Sequence, residues 1–150
     1  MMKLPPIRFF EPSEKFFECM RSFKSDIIVD VGAGCGHVSA GLEERGFKVL
    51  AIDLFAREET VYPVLTIDAA QFHFPSGCIV LIARPCHGNF IERVVEKALE
   101  TAKGIFYIGK ESNVDLDLGD LPYKKEIIAE RVGKENEVMI RIGDSNARNE

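Results

Sequence analysis

Short apolar runs alternate along this chain with stretches in which apolar residues recur every three or four positions. The runs are Ile27 to Val31, Lys48 to Ile52, Val64 to Ile67, Cys78 to Ala83 and Ile105 to Ile108. Brief runs bounded by turn residues read as strands, and apolar character on both sides of the pleat predicts parallel strands covered on two faces. The intervening pattern is helical. From Ser13 to Phe23 the residues Phe16, Met20 and Phe23 share a face that Phe17 broadens, opposite Glu14, Lys15, Glu18 and Arg21. His37 to Arg45 sets Val38 and Leu42 four apart, and Phe90 to Lys103 repeats Phe90, Val94, Ala98 and Ala102 with Val95 and Leu99 beside them. Gly46 and Gly104 follow these two helices as stop residues. Strands alternating with helices predict an α/β, doubly wound, mostly parallel sheet.

The two ends differ from this rhythm. Residues 1–26 read as a lead-in and helix, with Pro5-Pro6 keeping the first ten residues extended. Leu54 to Tyr62 has room only for a short helix before Pro63, and Glu111 to Pro122 is an acidic, solvated loop with space for one helical turn. Near the C-terminus, Val138, Ile140 and Ile142 alternate with Met139 and Arg141. Ile127 to Val132 makes a partner strand across Gly133 to Asn136, predicting an antiparallel hairpin before a flexible tail at 143–150.

At 150 residues the chain is expected to form a single domain, 1–150, with 46% hydrophobic and 29% charged residues. The net charge of −5 and pI near 5.3 make nucleic acid an unlikely partner. No stretch approaches the roughly 20 apolar residues of a membrane helix, so no membrane association is expected. Cys19, Cys35, Cys78 and Cys86 form no Cys-x-x-Cys pair, which suggests a reduced, cytoplasmic setting.

The chemistry concentrates between the first two strands. Three glycines at alternate positions, Gly32, Gly34 and Gly36, join the strand ending at Val31 to the helix beginning at His37. Such a loop lets backbone approach a ligand, and the free N–H groups of the helix start favour acceptor atoms. Asp53, at the end of the second strand, stands where an acid accepts hydrogen bonds from ribose hydroxyls. The unit is therefore a nucleoside-binding βαβ half. The dinucleotide spacing Gly-x-Gly-x-x-Gly would need glycine at position 37, where His37 stands.

The string Asp30-Val31-Gly32-Ala33-Gly34-Cys35-Gly36, with Asp53 after it, resembles the first motif of the class I, Rossmann-like S-adenosylmethionine-dependent methyltransferases. The resemblance implies S-adenosylmethionine as cofactor, with Asp30, Gly32, Gly34 and Gly36 holding its amino-acid end and Asp53 its ribose. It further implies that Asp68-Ala69, after the third strand, receives the adenine. The terminal hairpin is similar to the ending of that family's sheet, and the implied strand order is 3-2-1-4-5-7-6 over seven strands.

Beyond the fourth strand lies Arg84-Pro85-Cys86-His87-Gly88-Asn89-Phe90. Ligands of open α/β sheets sit past the carboxyl ends of the strands, so Arg84, Pro85, Cys86 and Asn89 are expected to face the methyl acceptor. His87 is the candidate general base. Asn89 with Glu92 also matches a capping-box pair for the following helix. Relatives that methylate exocyclic nitrogens often carry Asn-Pro-Pro-Tyr here, so Arg-Pro-Cys-His argues against amino methylation of bases. No metal is expected: Cys78 and Cys86 bracket a strand that holds them roughly 15 Å apart.

The expected function is methyl transfer to a small molecule or protein by an enzyme of minimal size. The alternatives are a noncatalytic S-adenosylmethionine-binding module or a subunit requiring a partner, and, less favoured, an NAD-type Rossmann protein; a protein partner or a homo-oligomer is compatible with either.

Overall fold

In the computed structural model, which describes residues 10–85 and 90–143, seven strands form one sheet in the order β3-β2-β1-β4-β5-β7-β6. They are β1 (Ile27–Val31), β2 (Lys48–Asp53), β3 (Val64–Thr66), β4 (Ile79–Ala83), β5 (Gly104–Lys110), β6 (Lys124–Ala129) and β7 (Glu137–Gly143). The first five strands pair in parallel, while β7 runs antiparallel to both β5 and β6. The strand order expected from the resemblance is the order found. The helices are α1 (Glu14–Met20), α2 (His37–Glu44), α3 (Phe90–Ala98) and α4 (Val114–Leu118). Among the described residues, no helix is long and apolar enough to cross a membrane.

Strand residues point alternately to opposite faces, and the core divides by that parity. Val29, Val31, Val80, Ile82, Ile105 and Tyr107 pack on one face against Ile91, Val94, Val95 and Ala98 of α3. Ile28, Ile79, Leu81, Phe106 and Ile108 pack on the other, against Phe16, Phe17 and Met20 of α1 and Val38 and Leu42 of α2. Asp30 has the parity of Ile28. Its carboxyl is therefore directed toward α2, where it meets the buried Ser39.

Three segments depart from the sequence pattern for tertiary reasons. Leu54 to Tyr62 forms no helix; it lies against the glycine loop, with the Val61 N–H donating to the Cys35 carbonyl at 2.8 Å and the Tyr62 hydroxyl to the Val49 carbonyl at 3.1 Å. The helix begun at Phe90 gives way to turns after Ala98, because the Thr101 carbonyl and hydroxyl are taken by the preceding turn, at Gly77 N–H (2.9 Å) and the Phe74 carbonyl (2.8 Å). Strand β6 starts at Lys124 and ends at Ala129, earlier than the expected 127–132 span. Val132 leaves the ladder to be buried, its carbonyl accepting the Ser13 N–H at 2.8 Å ahead of α1.

Candidate functional site

The site is assembled where β1 turns into α2. Gly32, Gly34 and Gly36 take φ of 72°, 60° and 90°, in the left-handed region that side chains resist. Gly36 is also packed: a Cβ there would stand 2.7 Å from Tyr62 Cβ. At Gly32 the situation is reversed, since a Cβ would meet nothing within 4 Å. That bare backbone faces open space. The loop is latched to the end of β2 by the N–H groups of Gly32 and Ala33, which share the Ile52 carbonyl at 2.9 and 3.0 Å.

Asp53 closes the same corner from the side of β2. Its Oδ2 accepts the Gly34 N–H at 2.8 Å and its Oδ1 accepts the Phe55 N–H at 2.9 Å. Each carboxylate oxygen keeps a second lone pair. Asp30 is more deeply enclosed, with Oδ2 accepting the Ser39 hydroxyl at 2.7 Å. Burial pushes its carboxyl up to about 7; the Ser39 hydrogen bond opposes that rise, and the charge of Asp53 adds to it. Asp68 uses Oδ1 to cap the 3-10 turn of residues 69–71, accepting the Ala70 N–H at 3.0 Å.

A cavity of about 260 Å³ opens beyond these strand ends. Val31, Gly32, Ile52, Asp53, Ile67 and Ala69 form one side, Leu54, Phe55 and Arg57 the rim, and Arg84, Pro85 and Phe90 the far side. The walls are chiefly apolar, as pockets for organic ligands usually are. Of the residues expected at a site, Gly32, Asp53, Ala69, Arg84 and Pro85 are brought together here. Asp30, Gly34, Gly36 and Asp68 do not line the cavity. Cys86, His87 and Asn89 lie outside the described residues.

Sequence reasoning did not single out Leu54, Phe55, Arg57 or Phe90. The signal for Leu54 and Phe55 was their place directly after Asp53, two apolar residues at the end of the second strand. Both remain exposed, at 49% and 60%. A second hollow of about 520 Å³ lies past β5, between Lys110, Glu111, Ser112, Glu135 and Asn136. It is larger, but neither the glycine loop nor Asp53 touches it. The smaller cavity is therefore the candidate site.

Compared by sequence, the chain matches no family model and no curated protein. Compared by structure, it is similar to the 23S rRNA methyltransferase ErmE, at 13% identity and a TM-score of 0.61 over 91% of this chain and 70% of that one. A Burkholderia thailandensis 1,6-didemethyltoxoflavin-N1-methyltransferase, solved with S-adenosylhomocysteine, aligns at 12% identity and a TM-score of 0.61. That match covers 87% of this chain and 77% of the enzyme. The putative methyltransferase yhhF from Escherichia coli aligns at 16% identity and 0.59, covering 90% of this chain and 86% of its own. The strand order, the reversed β7 and these neighbours establish the fold as that of the class I S-adenosylmethionine-dependent methyltransferases.

Proposed function

We propose that this chain binds S-adenosylmethionine in the 260 Å³ cavity and transfers its methyl group to an acceptor entering from the side of Arg84 and Pro85. One observation carries the reading: the open backbone of Gly32, the carboxylate of Asp53 and an apolar wall share a single cavity at the strand ends. The residues suit the cofactor. Asp53 offers its remaining lone pairs to ribose hydroxyls, and Ile67 and Ala69 supply a flat apolar seat for adenine. Asp68 is assigned to the adenine amino group, and Asp30, Gly34 and Gly36 to the amino-acid end, Asp30 acting through the loop it supports.

When bound, the cofactor supplies an electrophilic methyl on sulfur. The task left to the protein is to orient the acceptor and exclude water, for which apolar walls are suited. His87 is assigned the acceptor's proton where the acceptor does not lose it to solvent.

Thermal unfolding with S-adenosylmethionine, S-adenosylhomocysteine and NAD tests the reading. Ligand at 100 times its Kd stabilises the native state by about 2.7 kcal/mol. Stabilisation by the two adenosyl compounds and none by NAD is expected, and the reverse pattern overturns the proposal. Asp53→Ala should weaken S-adenosylhomocysteine by about 30-fold, roughly 2 kcal/mol, through loss of one charge-assisted hydrogen bond and of the loop's anchor.

A noncatalytic binding module has one observation in its favour. The connectors β2–β3 and β3–β4 carry no α-helix, so neither adds a helical element there to recognise an acceptor. Slow cofactor demethylation that disappears in His87→Ala would decide for catalysis.

A further inference from the structure

Among the described residues, Arg84 is the one charged residue on the acceptor side of the cavity wall, and it is held there at a cost. Its φ is 47°, a left-handed conformation that side chains resist. The strain is fixed by its own N–H, which donates to the Ile108 carbonyl at 2.6 Å. From that position Nη1 reaches Glu135 Oε2 at 2.5 Å and lies 3.6 Å from Glu137 Oε2.

Glu137 is a second costly feature. It is fully buried, and while Oε1 accepts the Glu135 N–H at 3.2 Å, Oε2 has no hydrogen-bond partner among the described residues. Burial pushes this carboxyl upward, whereas the Arg84 hydrogen bond and the nearby Lys110 hold Glu135 below its ordinary value. The left-handed turn at Arg84 extends the β4–β5 pairing by one hydrogen bond and sets the guanidinium against an incompletely satisfied buried acid. Strained backbone and unsatisfied buried polar groups cluster at active sites and ligand clamps.

Resting on the cofactor reading above, we infer that Arg84, braced from behind by Glu135 and Glu137, seats a carboxylate of the methyl acceptor. Among the described residues the bracing uses Nη1 alone, which leaves Nε and Nη2 for a planar anion. Electrostatics point the same way. A guanidinium paired through Nη1 keeps its remaining N–H groups as charge-assisted donors, for which a carboxylate is a better-matched acceptor than a neutral group. Pro85 and Phe90 beside Arg84 add apolar surface, so the acceptor class is a small organic acid with an apolar body.

Benzoate and its neutral isostere benzamide are the probes, titrated at constant ionic strength into protein saturated with S-adenosylhomocysteine. Benzoate should raise the unfolding temperature and benzamide should not, and in Arg84→Gln benzoate should bind at least about tenfold more weakly. An equal response to both probes, or to neither, overturns the inference in the wild-type protein without recourse to a variant. A tenfold loss of S-adenosylhomocysteine affinity in Arg84→Gln assigns the arginine to the cofactor's own carboxylate and likewise overturns it. If S-adenosylhomocysteine itself fails to bind before any benzoate is added, the cofactor reading falls first and takes this inference with it.

Discussion

The two halves of the sheet's carboxyl edge satisfy their polar groups by opposite means. Around β1, β2 and β3, carboxylates are met by backbone amides and one helix hydroxyl from nearby in the chain: Gly34 to Asp53 spans 19 residues and Ser39 to Asp30 nine. Around β4, β5 and β7, charged side chains meet one another, and Arg84 pairs with Glu135 across 51 residues. The first arrangement is the more rigid, since Asp53 and Asp68 are fixed by main chain and Asp30 by a hydroxyl on a packed helix. The second depends on side chains that can exchange partners. A holder for a fixed cofactor and a receiver for a separate acceptor would divide the work along this line.

The largest effect that would break the comparison is expected at Asp30, the carboxyl in the first half whose charge is poorly accommodated. Its folded value, about 7, lies above the ordinary 3.8, so between those limits the native state holds a proton that the unfolded chain has released. Stability from this group is therefore full below about pH 4 and lost as pH rises through 7. Three pKa units correspond to on the order of 4 kcal/mol as an upper bound. Asp30→Asn imitates the protonated form and keeps a partner for Ser39. Urea unfolding at pH 5 and pH 7.5 should show the variant gaining on wild type at the higher pH. A constant difference would mean that Asp30 is already ionised, and the first half would then contain no weak point.

A smaller effect sharpens the comparison at Gly36. Gly36→Ala combines a left-handed backbone with a Cβ 2.7 Å from Tyr62 Cβ, and should cost about 3 kcal/mol. Gly77→Ala serves as control, because its φ of 76° is similar but the space around it is open. That substitution should cost only about 1 kcal/mol. Equal losses in denaturant melts would show that Tyr62 yields, and that the glycine loop is less tightly held than its packing indicates.

The same contrast explains what the sequence made legible. Asp30, the three glycines and Asp53 fall within one strand-loop-helix-strand unit, so their spacing alone carries their geometry. The hairpin was also legible, because alternation along Val138, Met139, Ile140, Arg141 and Ile142 reports one strand at a time. Arg84 could be placed at the edge by its position after β4. Its partners could not, because nothing in the spacing of Glu135 and Glu137 points back to Arg84, which lies 51 positions before Glu135. The segment from Leu54 to Tyr62 was misjudged for a related reason: its far end is held to the glycine loop and β2 by Val61 and Tyr62, contacts that local helical tendency does not report.

The smallest effect is expected at Tyr107, and it asks whether the two halves act independently. Tyr107 sits on β5, buried in the α3 face of the core, with its hydroxyl donating to Asp117 Oδ2 at 2.5 Å. Burial raises its hydroxyl pKa, the Asp117 carboxylate raises it further, and Arg84 opposes the rise, so the ring lies within the electrostatic reach of the second half. It does not line the cavity. Tyr107→Phe removes one hydrogen bond and leaves Asp117 free to take water, so stability should fall by about 1 kcal/mol. S-adenosylhomocysteine affinity, measured by calorimetry, should stay within about twofold. A larger loss would show that charge rearrangement around β5 reaches Asp53 and the glycine loop, and the edge would then be one coupled site rather than a rigid holder beside an adaptable receiver.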